Sequence, residues 1–442
     1  MPEVAPNPAP VELLQHLIRF DTTNPPGNEA GCIAYINNLL TEVGVETQVL
    51  ALDENRPNLV ARLKGQGNAP PLLLQGHVDV VTTAGQSWQQ PPFEAKIVDG
   101  YVWGRGALDM KGGVAMMLAA ILRAKTEHAS LPGDVILAVV SDEEAGGDFG
   151  ARYLVESHAH LFESARYAIG ELGGFSLPIA GRRFYPIQVA EKQICWMKAT
   201  LRGPAGHGSL PLRGGAMAKM ARLVRQLDEK RLPVHITPAA RLMFESIAAV
   251  LPLPASLLFR LLLNPAFSDQ IVNLLGKRGR IFEPLLHNTV SANIVRGGDK
   301  INVIPAEVVL ELDGRLLPGF TPDDMFAEFR HLVGEEAEIE LVRHDPGPAE
   351  PDMGLFETLV EILRQADPSG TPVPLLMSGV TDGRYFSRLG IQTYGFLPTP
   401  LPADFNFTET IHAADERIPV EALEFGAQAI YTLLQRNPVG GG

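Results

Sequence analysis

Residues 72–81, LLLQGHVDVV, and residues 103–113, WGRGALDMKGG, decide the fold. The first stretch is a short apolar run that ends in polar residues, which is typical of a buried strand. The second is a glycine loop that leads into residues 112–128, where apolar side chains recur at helical spacing. Residues 134–140 and 167–170 predict two further strands. Because strands alternate with helices, we expect an α/β domain with a mainly parallel sheet and helices on both faces.

The middle of the chain has a different pattern. Residues 195–201 and 308–316 predict strands, and a helix with one apolar face lies between them. We therefore predict a smaller α+β domain at residues 190–316. It is inserted into a discontinuous catalytic domain of residues 1–189 and 317–442, in which the alternation of strands and helices resumes.

Residues 242–286, inside the predicted insertion, are unusually apolar. One interpretation is a helical addition that is buried against its own domain or against a second subunit. The other is an apolar wall or lid for a hydrophobic substrate. The sequence leaves both open.

Composition excludes some classes of protein. The 442 residues include 37 Lys and Arg against 51 Asp and Glu, a net charge of 37 − 51 = −14, which argues against nucleic-acid binding. With 45% apolar and 20% charged residues the chain is typical of a folded globular protein.

The two cysteines fit a reducing compartment. No secretory signal or membrane-spanning stretch is evident, so we expect a soluble, cytoplasmic protein.

Acidic and histidine side chains follow four of the predicted elements. They are His77, Asp79, Asp109, the run from Asp142 to Glu144, and Glu171. In open α/β sheets ligands bind beyond the carboxyl ends of the strands, so these groups should converge. So many like charges require cations to offset them, and carboxylates with imidazole suit zinc, manganese or cobalt. A late histidine, His412, could complete such a set.

Each of these residues also has a structural interpretation. His77 could be a hydrogen-bonded core histidine, Asp109 a helix cap, Glu143 and Glu144 a solvated turn, and Glu171 an ion-pair partner. Their combination at strand ends favours a metal site, without excluding the alternative.

The nearby pair His158 and His160 lies in a polar helical stretch and is not expected to bind metal. Gly104 and Gly106 lack the third glycine of a dinucleotide-binding loop, and neither a serine-hydrolase elbow nor a His-Glu-x-x-His helix is present.

The sequence resembles the metallopeptidase family that includes aminoacylases, acetylornithine deacetylase, succinyl-diaminopimelate desuccinylase and glutamate carboxypeptidase. The apolar insertion is most similar to the branch of carboxypeptidase S and the long-chain N-acyl amino acid hydrolases. The matching stretches occur in the family's order along nearly the whole chain: FDTTNPPGNE (20–29), LLLQGHVDVV (72–81), WGRGALDMKGG (103–113), SDEEAGG (141–147), GHGSLP (206–211), NVIPAE (302–307), GVTDGRYF (379–386) and TIHAADE (410–416).

The resemblance implies a role for each matching residue of the catalytic domain. Two divalent ions would be bound, Zn²⁺ first among them and Co²⁺ or Mn²⁺ as alternatives. The implied metal ligands are His77 and Glu171 for one ion, Glu144 and His412 for the other, and Asp109 as the bridge between them. Asp79 would orient His77 by a hydrogen bond, and Glu143 would be the general base. The peptide bond between Asp109 and Met110 is expected to be cis.

The resemblance also implies roles for residues of the insertion. His207 would stabilise the oxyanion, often across a dimer, and Asn302 and Arg315 would bind the substrate carboxylate. Arg384 is a further candidate for that task, and its alternative is an ion pair with Asp382. We accordingly expect a homodimer formed through the inserted lid and dimerisation domain.

These expectations define a two-metal amidohydrolase. Its substrate would be a small N-acyl amino acid or a short peptide with a free carboxylate, and the apolar insertion favours a hydrophobic acyl group or side chain. A dipeptidase or carboxypeptidase of the same family is the first alternative. A catalytically silent binding protein on the same fold is the second.

Overall fold

The structure is a computed structural model that describes residues 8–436. The ends of the predicted catalytic domain, residues 1–7 and 437–442, lie outside this range. The chain divides into two compact units. The first comprises the described residues up to Val189, Asp352–Leu375, and those from Thr381 onward; the second comprises Ala190–Pro351 and Leu376–Val380.

Eighteen strands lie within the described residues. In chain order they are β1 (Glu46–Leu50), β2 (Asn58–Leu63), β3 (Leu72–His77), β4 (Ile97–Val98), β5 (Tyr101–Trp103), β6 (Val135–Val140), β7 (Tyr167–Gly170), β8 (Leu177–Ile179), β9 (Arg182–Glu191), β10 (Gln193–Arg202), β11 (Gly206–His207), β12 (Thr289–Arg296), β13 (Val303–Ile304), β14 (Glu307–Leu316), β15 (Ala337–Asp345), β16 (Thr371–Met377), β17 (Gln392–Gly395) and β18 (Arg417–Pro419).

Fourteen α-helices accompany these strands in the described part of the chain. They are α1 (Pro10–Ile18), α2 (Ala30–Glu42), α3 (Lys111–Thr126), α4 (Ala151–Ser157), α5 (Ala216–Glu229), α6 (Pro238–Val250), α7 (Ala255–Leu262), α8 (Ser268–Leu275), α9 (Glu283–Leu286), α10 (Pro322–Val333), α11 (Phe356–Ala366), α12 (Gly383–Phe386), α13 (Phe407–Thr410) and α14 (Val420–Arg436). None of these helices combines the length and the apolarity that a bilayer-spanning segment requires.

A nine-stranded sheet forms the core of the first unit, in the order β1-β2-β6-β3-β7-β17-β9-β16 with β8 paired to β9. The four strands β6, β3, β7 and β17 are parallel, and antiparallel strands flank them. Every residue of β3 and β6 is buried, as expected for strands covered on both faces. The predicted α/β class with a mainly parallel central sheet is therefore confirmed.

Helices cover the two faces of this sheet. On one face, Leu73 and Ile136 pack with side chains of α4 and α12. On the other face, Gly76 lets α3 approach closely, because a Cβ at position 76 would lie 3.1 Å from a methyl carbon of Val114. The helix α3 is buried along most of its length, since α1 and α14 pack against it in turn.

The second unit is built on an antiparallel sheet in the order β12-β14-β10-β15. Along β14, buried residues such as Leu310 and Leu312 alternate with partly exposed ones. The buried side packs against α5 and α10 through an apolar cluster that includes Leu223, Met325 and Phe329.

This packing corrects the predicted boundary of the inserted domain at residue 316. The second unit continues to Pro351. The reason is that α10 completes the apolar core under β14, and β15 pairs with β10 along eight residues. After residue 316 the sequence pattern suggests that strands and helices of the catalytic domain alternate again. The two elements found there, α10 and β15, belong to the smaller unit.

The apolar segment 242–286 folds as part of α6 followed by α7, α8 and α9. Its centre is a cluster of three aromatic rings, Phe244, Phe259 and Phe282, with centroids 5.4–6.1 Å apart. The segment is therefore a helical addition with an apolar centre of its own.

Candidate metal centre

Three loops that follow neighbouring parallel strands carry the candidate ligands. His77 is the last residue of β3, Glu143 and Glu144 follow β6, and Glu171 directly follows β7. Because β6, β3 and β7 are adjacent and parallel, their carboxyl ends lie at one edge of the sheet. The convergence that the sequence predicts is thus present.

Asp109 lies between two imidazole rings. Its Oδ1 is 3.1 Å from His77 Nε2, and its Oδ2 is 2.9 Å from His412 Nε2. His77 Nε2 also lies 3.3 Å from Glu171 Oε2, and His412 Nε2 lies 3.2 Å from Glu144 Oε1. Each oxygen of Asp109 therefore faces a separate group of one imidazole and one further carboxylate. The peptide bond after Asp109 is cis, as expected.

Glu143 belongs to the same cluster. Donor atoms of His77, Glu143 and Glu171 all lie within 4.8 Å of one another, as do those of His77, Asp109 and Glu144. Distance alone therefore does not separate Glu143 from the candidate ligands. It is also 3.9 Å from the Arg384 guanidinium, through Oε1.

Two observations test whether these groups fit a metal ion. His77 Nδ1 is 3.0 Å from the Asp79 carbonyl oxygen, which can only accept a hydrogen bond, so the proton of a neutral ring lies on Nδ1. The lone pair on Nε2 then faces carboxylate oxygens of Asp109 and Glu171, an arrangement that a cation between them would satisfy. In addition, the buried Oε1 of Glu144 receives no hydrogen bond of acceptable geometry within the described residues. Both observations fit metal ligands.

The electrostatics of the side chains agree with this fit. Burial raises the pKa of Glu171 to about 8, and the charge of Asp109 adds to the effect. Burial also raises the pKa of Glu143 well above its usual value. The neighbouring carboxylates of Asp109 and Glu144 raise the pKa of His412 to about 10. Without cations the cluster can only be neutralised by extra protons, which divalent ions would replace.

Access to the cluster differs between its two ends. His77, Asp109 and Glu171 are buried, whereas the side chain of His412 is 49% exposed. The His412 end is therefore the side from which solvent reaches the first unit's cluster.

Asp79 connects two of the loops. Its carboxylate accepts hydrogen bonds from the backbone amides of Glu143 and Glu144, both at 3.1 Å, and from Asn24 Nδ2 at 2.8 Å. The resemblance implies a hydrogen bond between His77 and the Asp79 carboxylate, but His77 Nδ1 donates instead to the Asp79 carbonyl oxygen; the carboxylate is 3.5 Å from Nδ1. Asp79 thus orients His77 through its backbone and the Glu143 loop through its side chain.

A second support of that loop was not predicted from the sequence. Asp142 has a left-handed backbone conformation, with φ of 71°, and its carboxylate accepts hydrogen bonds from Arg56 at 2.7 Å and from Asn24 at 3.2 Å. Arg56 is in turn paired with the buried Glu29 at 2.9 Å. Asn24 and Glu29 lie in the motif FDTTNPPGNE, but their spacing gives no indication of these partners.

A third support, Arg105 with Glu416, was also not predicted. The two side chains are buried and form an ion pair at 2.7 Å. Glu416 accepts hydrogen bonds from the backbone amides of Leu108 and Asp109, and Arg105 donates to the carbonyl oxygen of His412 at 3.2 Å. His412 has a φ of 61°, which a non-glycine residue adopts only when its surroundings hold it there. This pair therefore fixes the backbone of two candidate ligands.

The Glu416→Gln variant tests this support. It leaves the charge of Arg105 buried without its partner, so the free energy of unfolding should fall by about 3–5 kcal/mol. Loosening of Asp109 and His412 should weaken metal retention by roughly 10- to 100-fold. Denaturant unfolding and competition with a chelator measure the two effects. The exposed Glu421→Gln change on α14 is the control, and equal behaviour of both variants would contradict the positioning role.

Arg384 is buried beside the Glu143 loop. Its Nη1 donates to the Thr381 carbonyl oxygen at 2.8 Å, and its Nη2 donates to that of Gly146 at 3.0 Å. The guanidinium also stacks 4.5 Å from the ring centroid of Tyr385. These contacts hold the loop that follows Glu143. Substrate binding by Arg384, and its alternative of an ion pair with Asp382, stay predictions.

The site residues predicted in the second unit lie on β11, just before β13, and on β14. His207 is exposed on β11, which pairs with β13 next to Asn302, and the amide of Gly208 donates to the Asn302 carbonyl oxygen at 2.8 Å. Arg315 on β14 is half-buried and paired with Asp313 at 2.7 Å. His207 and Asn302 are therefore neighbours, and Arg315 has an acidic partner.

Buried carboxylates and imidazoles at the carboxyl edge of a parallel sheet are the arrangement expected of a metal-dependent hydrolase. Residues 73–436 match the sequence profile of Peptidase family M20/M25/M40. The chain belongs to this family, and it is accordingly a hydrolase of amide bonds.

Individual relatives agree with this assignment. The chain is 27% identical to "Probable carboxypeptidase S-like 2" of Dictyostelium discoideum over 86% of this chain and 74% of that protein. It is 26% identical to the human N-fatty-acyl-amino acid synthase/hydrolase PM20D1, over 84% of this chain and 75% of that protein. Among solved structures, the M20 family metallo-carboxypeptidase Sso-CP2 of Sulfolobus solfataricus superposes with a TM-score of 0.67 at 17% identity, covering 96% of this chain and 98% of that one.

Proposed function

We propose that this protein uses two divalent metal ions, Zn²⁺ first among them, to hydrolyse the amide bond of N-acyl amino acids with a hydrophobic acyl group. The observation that carries the proposal is Asp109, whose two oxygens each face one imidazole and one carboxylate. One ion would be held by His77, Asp109 and Glu171, and the other by Asp109, Glu144 and His412. When bound, such ions lower the pKa of water and polarise a carbonyl group.

Glu143 is the proposed general base. Among the described residues it is the clustered carboxylate that also lies 3.9 Å from a guanidinium, that of Arg384. Its carboxylate would take a proton from the attacking water and return it to the amine that leaves. Asp79 supports this role, because it holds the backbone amides at positions 143 and 144.

The second unit is proposed to bind the substrate. An arginine can hold a carboxylate through two parallel hydrogen bonds, which suits Arg315 for the free carboxylate, with Asn302 as a further donor. His207 is the proposed donor to the oxyanion. Its position on a short exposed strand between glycines supports contact with a ligand.

An apolar cavity supports the hydrophobic acyl group. It adjoins Asp109 and Glu171 and is otherwise lined mainly by apolar residues, among them Leu108, Leu172, Phe175, Leu397 and Phe407. Phe175 and Phe407 are stacked with centroids 3.9 Å apart. The cavity has a volume of about 20 Å³, room for about one water molecule, so these two rings would have to move before an acyl chain could enter.

A substrate panel tests the proposed function. Metal-loaded protein should cleave N-acyl-Phe and N-acyl-Leu faster than N-acetylornithine or succinyl-diaminopimelate, and methyl esters of the preferred substrates should react poorly. The Phe407→Ala variant should shift the preference toward longer acyl chains, whereas Phe405→Ala, in the same loop, should not. Faster cleavage of unblocked dipeptides would instead favour a dipeptidase, and no cleavage of any amide would refute the proposal.

The assembly and location are part of the proposal. We propose a homodimer through the second unit, supported by the edge strand β12, which exposes Ile294 and Val295. A cytoplasmic location is supported by Cys32 and Cys195, which are both buried and free.

A further inference from the structure

The helical segment 251–282 of the second unit exposes five large apolar side chains. Leu253 is 79% exposed, Leu274 is 72% exposed and Ile281 is 66% exposed, and Leu257 and Phe267 are about half exposed. We call these five residues the apolar ridge. Single exposed apolar residues are ordinary in soluble proteins, whereas here five fall within one short segment.

The ridge is separate from the apolar centre of the segment. On α7 the buried residues are Phe259 and Leu262, whereas Leu257 is exposed; on α8 the buried apolar residues are Ile271 and Val272, whereas Leu274 is exposed. Each of these two helices therefore leaves one large apolar side chain outside its own packing.

Basic residues are concentrated in the same segment of sequence. The segment contains Arg260, Lys277, Arg278 and Arg280 against a single acid, Asp269, so its net charge is 4 − 1 = +3 in a chain of −14. Within the described residues, Arg260, Lys277 and Arg280 form no ion pair, and Asp269 lies 3.3 Å from Arg231. The segment is thus positively charged while the remainder of the chain carries −17, since −14 − 3 = −17.

We infer that the apolar ridge and its basic residues dock on the surface of an anionic lipid bilayer. Short helices with exposed leucines and unpaired lysine or arginine lie in the plane of a membrane interface, with their apolar side chains among the acyl chains. A second copy of this chain fits less well, because a symmetric contact would bring two positive segments together.

The purpose of this docking rests on the proposed function. Amino acids that carry a long acyl chain partition into membranes, so an enzyme at the membrane surface meets them at high local concentration. Docking itself does not depend on catalysis and can be measured without it.

Vesicle sedimentation tests the inference. The full-length protein should bind vesicles that contain phosphatidylglycerol and should bind phosphatidylcholine vesicles much more weakly. Each basic residue near an anionic surface contributes about fivefold to binding, so the loss of two should weaken binding about 25-fold. Because Lys277→Glu/Arg280→Glu also adds two negative charges, it should bind at least about 25-fold more weakly. Leu253→Asp/Leu274→Asp/Ile281→Asp should bind weakly to both kinds of vesicle.

Matched controls separate docking from general effects. Arg182→Glu/Lys300→Glu changes the net charge equally at exposed sites outside the segment, and Leu52→Asp removes an exposed leucine of the first unit. Both should bind as the wild-type protein does, and every variant should cleave a short-chain soluble substrate at the wild-type rate.

Three results would overturn the inference: no binding to anionic vesicles, equal binding by the ridge variants and the controls, or a ridge variant whose only change is dissociation of a dimer. Vesicle binding without hydrolysis of any amide would refute the proposed function and leave docking intact. Hydrolysis without vesicle binding would do the reverse.

Discussion

The Glu143→Gln variant should hydrolyse its substrate about 10²–10⁴-fold more slowly than the wild-type protein while it keeps its metal ions. Glutamine has nearly the same shape as glutamate but cannot take up the proton of the attacking water. Because Glu143 is proposed not to bind metal, the loss should appear in kcat, with little change in KM or in metal content. Steady-state kinetics and elemental analysis of the same preparation measure both quantities.

The comparison with metal content is needed because Glu143 lies within 4.8 Å of candidate ligands. A variant that has lost an ion would identify Glu143 as a ligand, and a variant of unchanged kcat would remove it from the mechanism. Glu163→Gln, an exposed substitution in the loop before β7, should leave both quantities unchanged.

The Asp109→Asn variant should lose the most metal of any single substitution. Asparagine keeps one oxygen but loses the charge and the second acceptor, so it cannot serve both groups that Asp109 now faces. Loss of an outer hydrogen bond to a ligand lowers metal affinity by roughly 10- to 100-fold. In Asp109→Asn, the affinity for at least one ion should fall by more than this. Activity should fall with it.

Chelator competition with Zn²⁺ and with Co²⁺ measures this loss, and the visible spectrum of Co²⁺ reports the change in ligands. Asp404→Asn, an exposed change near His412 in sequence, serves as the control. If Asp109→Asn bound two ions as tightly as the wild-type protein, Asp109 would not be the shared ligand.

The sequence predicts the main sheet and the convergence of the candidate ligands well, for a simple physical reason. The strands β3, β6 and β7 are short apolar runs, and the polar residues that follow them must emerge at the carboxyl edge of a parallel sheet. His77, Glu143, Glu144 and Glu171 are placed by this rule alone. His412 required the resemblance to a family, because it lies far along the chain in a loop without a periodic pattern.

The supports of the site could not be predicted in the same way. Arg105 meets Glu416 across 311 positions, and Arg56 meets Asp142 across 86. Such pairs depend on the three-dimensional path of the loops, and each residue alone resembles an ordinary surface charge. Asp79 shows the same difficulty at short range, since its backbone contacts His77 while its side chain holds the neighbouring loop.

The limits of the second unit illustrate another kind of error. Helix α10 and strand β15 follow residue 316 with the alternation typical of an α/β domain, yet they complete the antiparallel sheet of the smaller unit. Sequence periodicity identifies an element but does not tell which sheet the element joins.

Anomalous X-ray scattering from crystals of zinc-loaded protein would decide whether Asp109 joins two ions. Data collected at the zinc edge should show two peaks about 3.5–4 Å apart. His77 and Glu171 should contact one peak, Glu144 and His412 the other, and Asp109 both. A single peak, or two peaks that Asp109 does not join, would contradict the proposed centre.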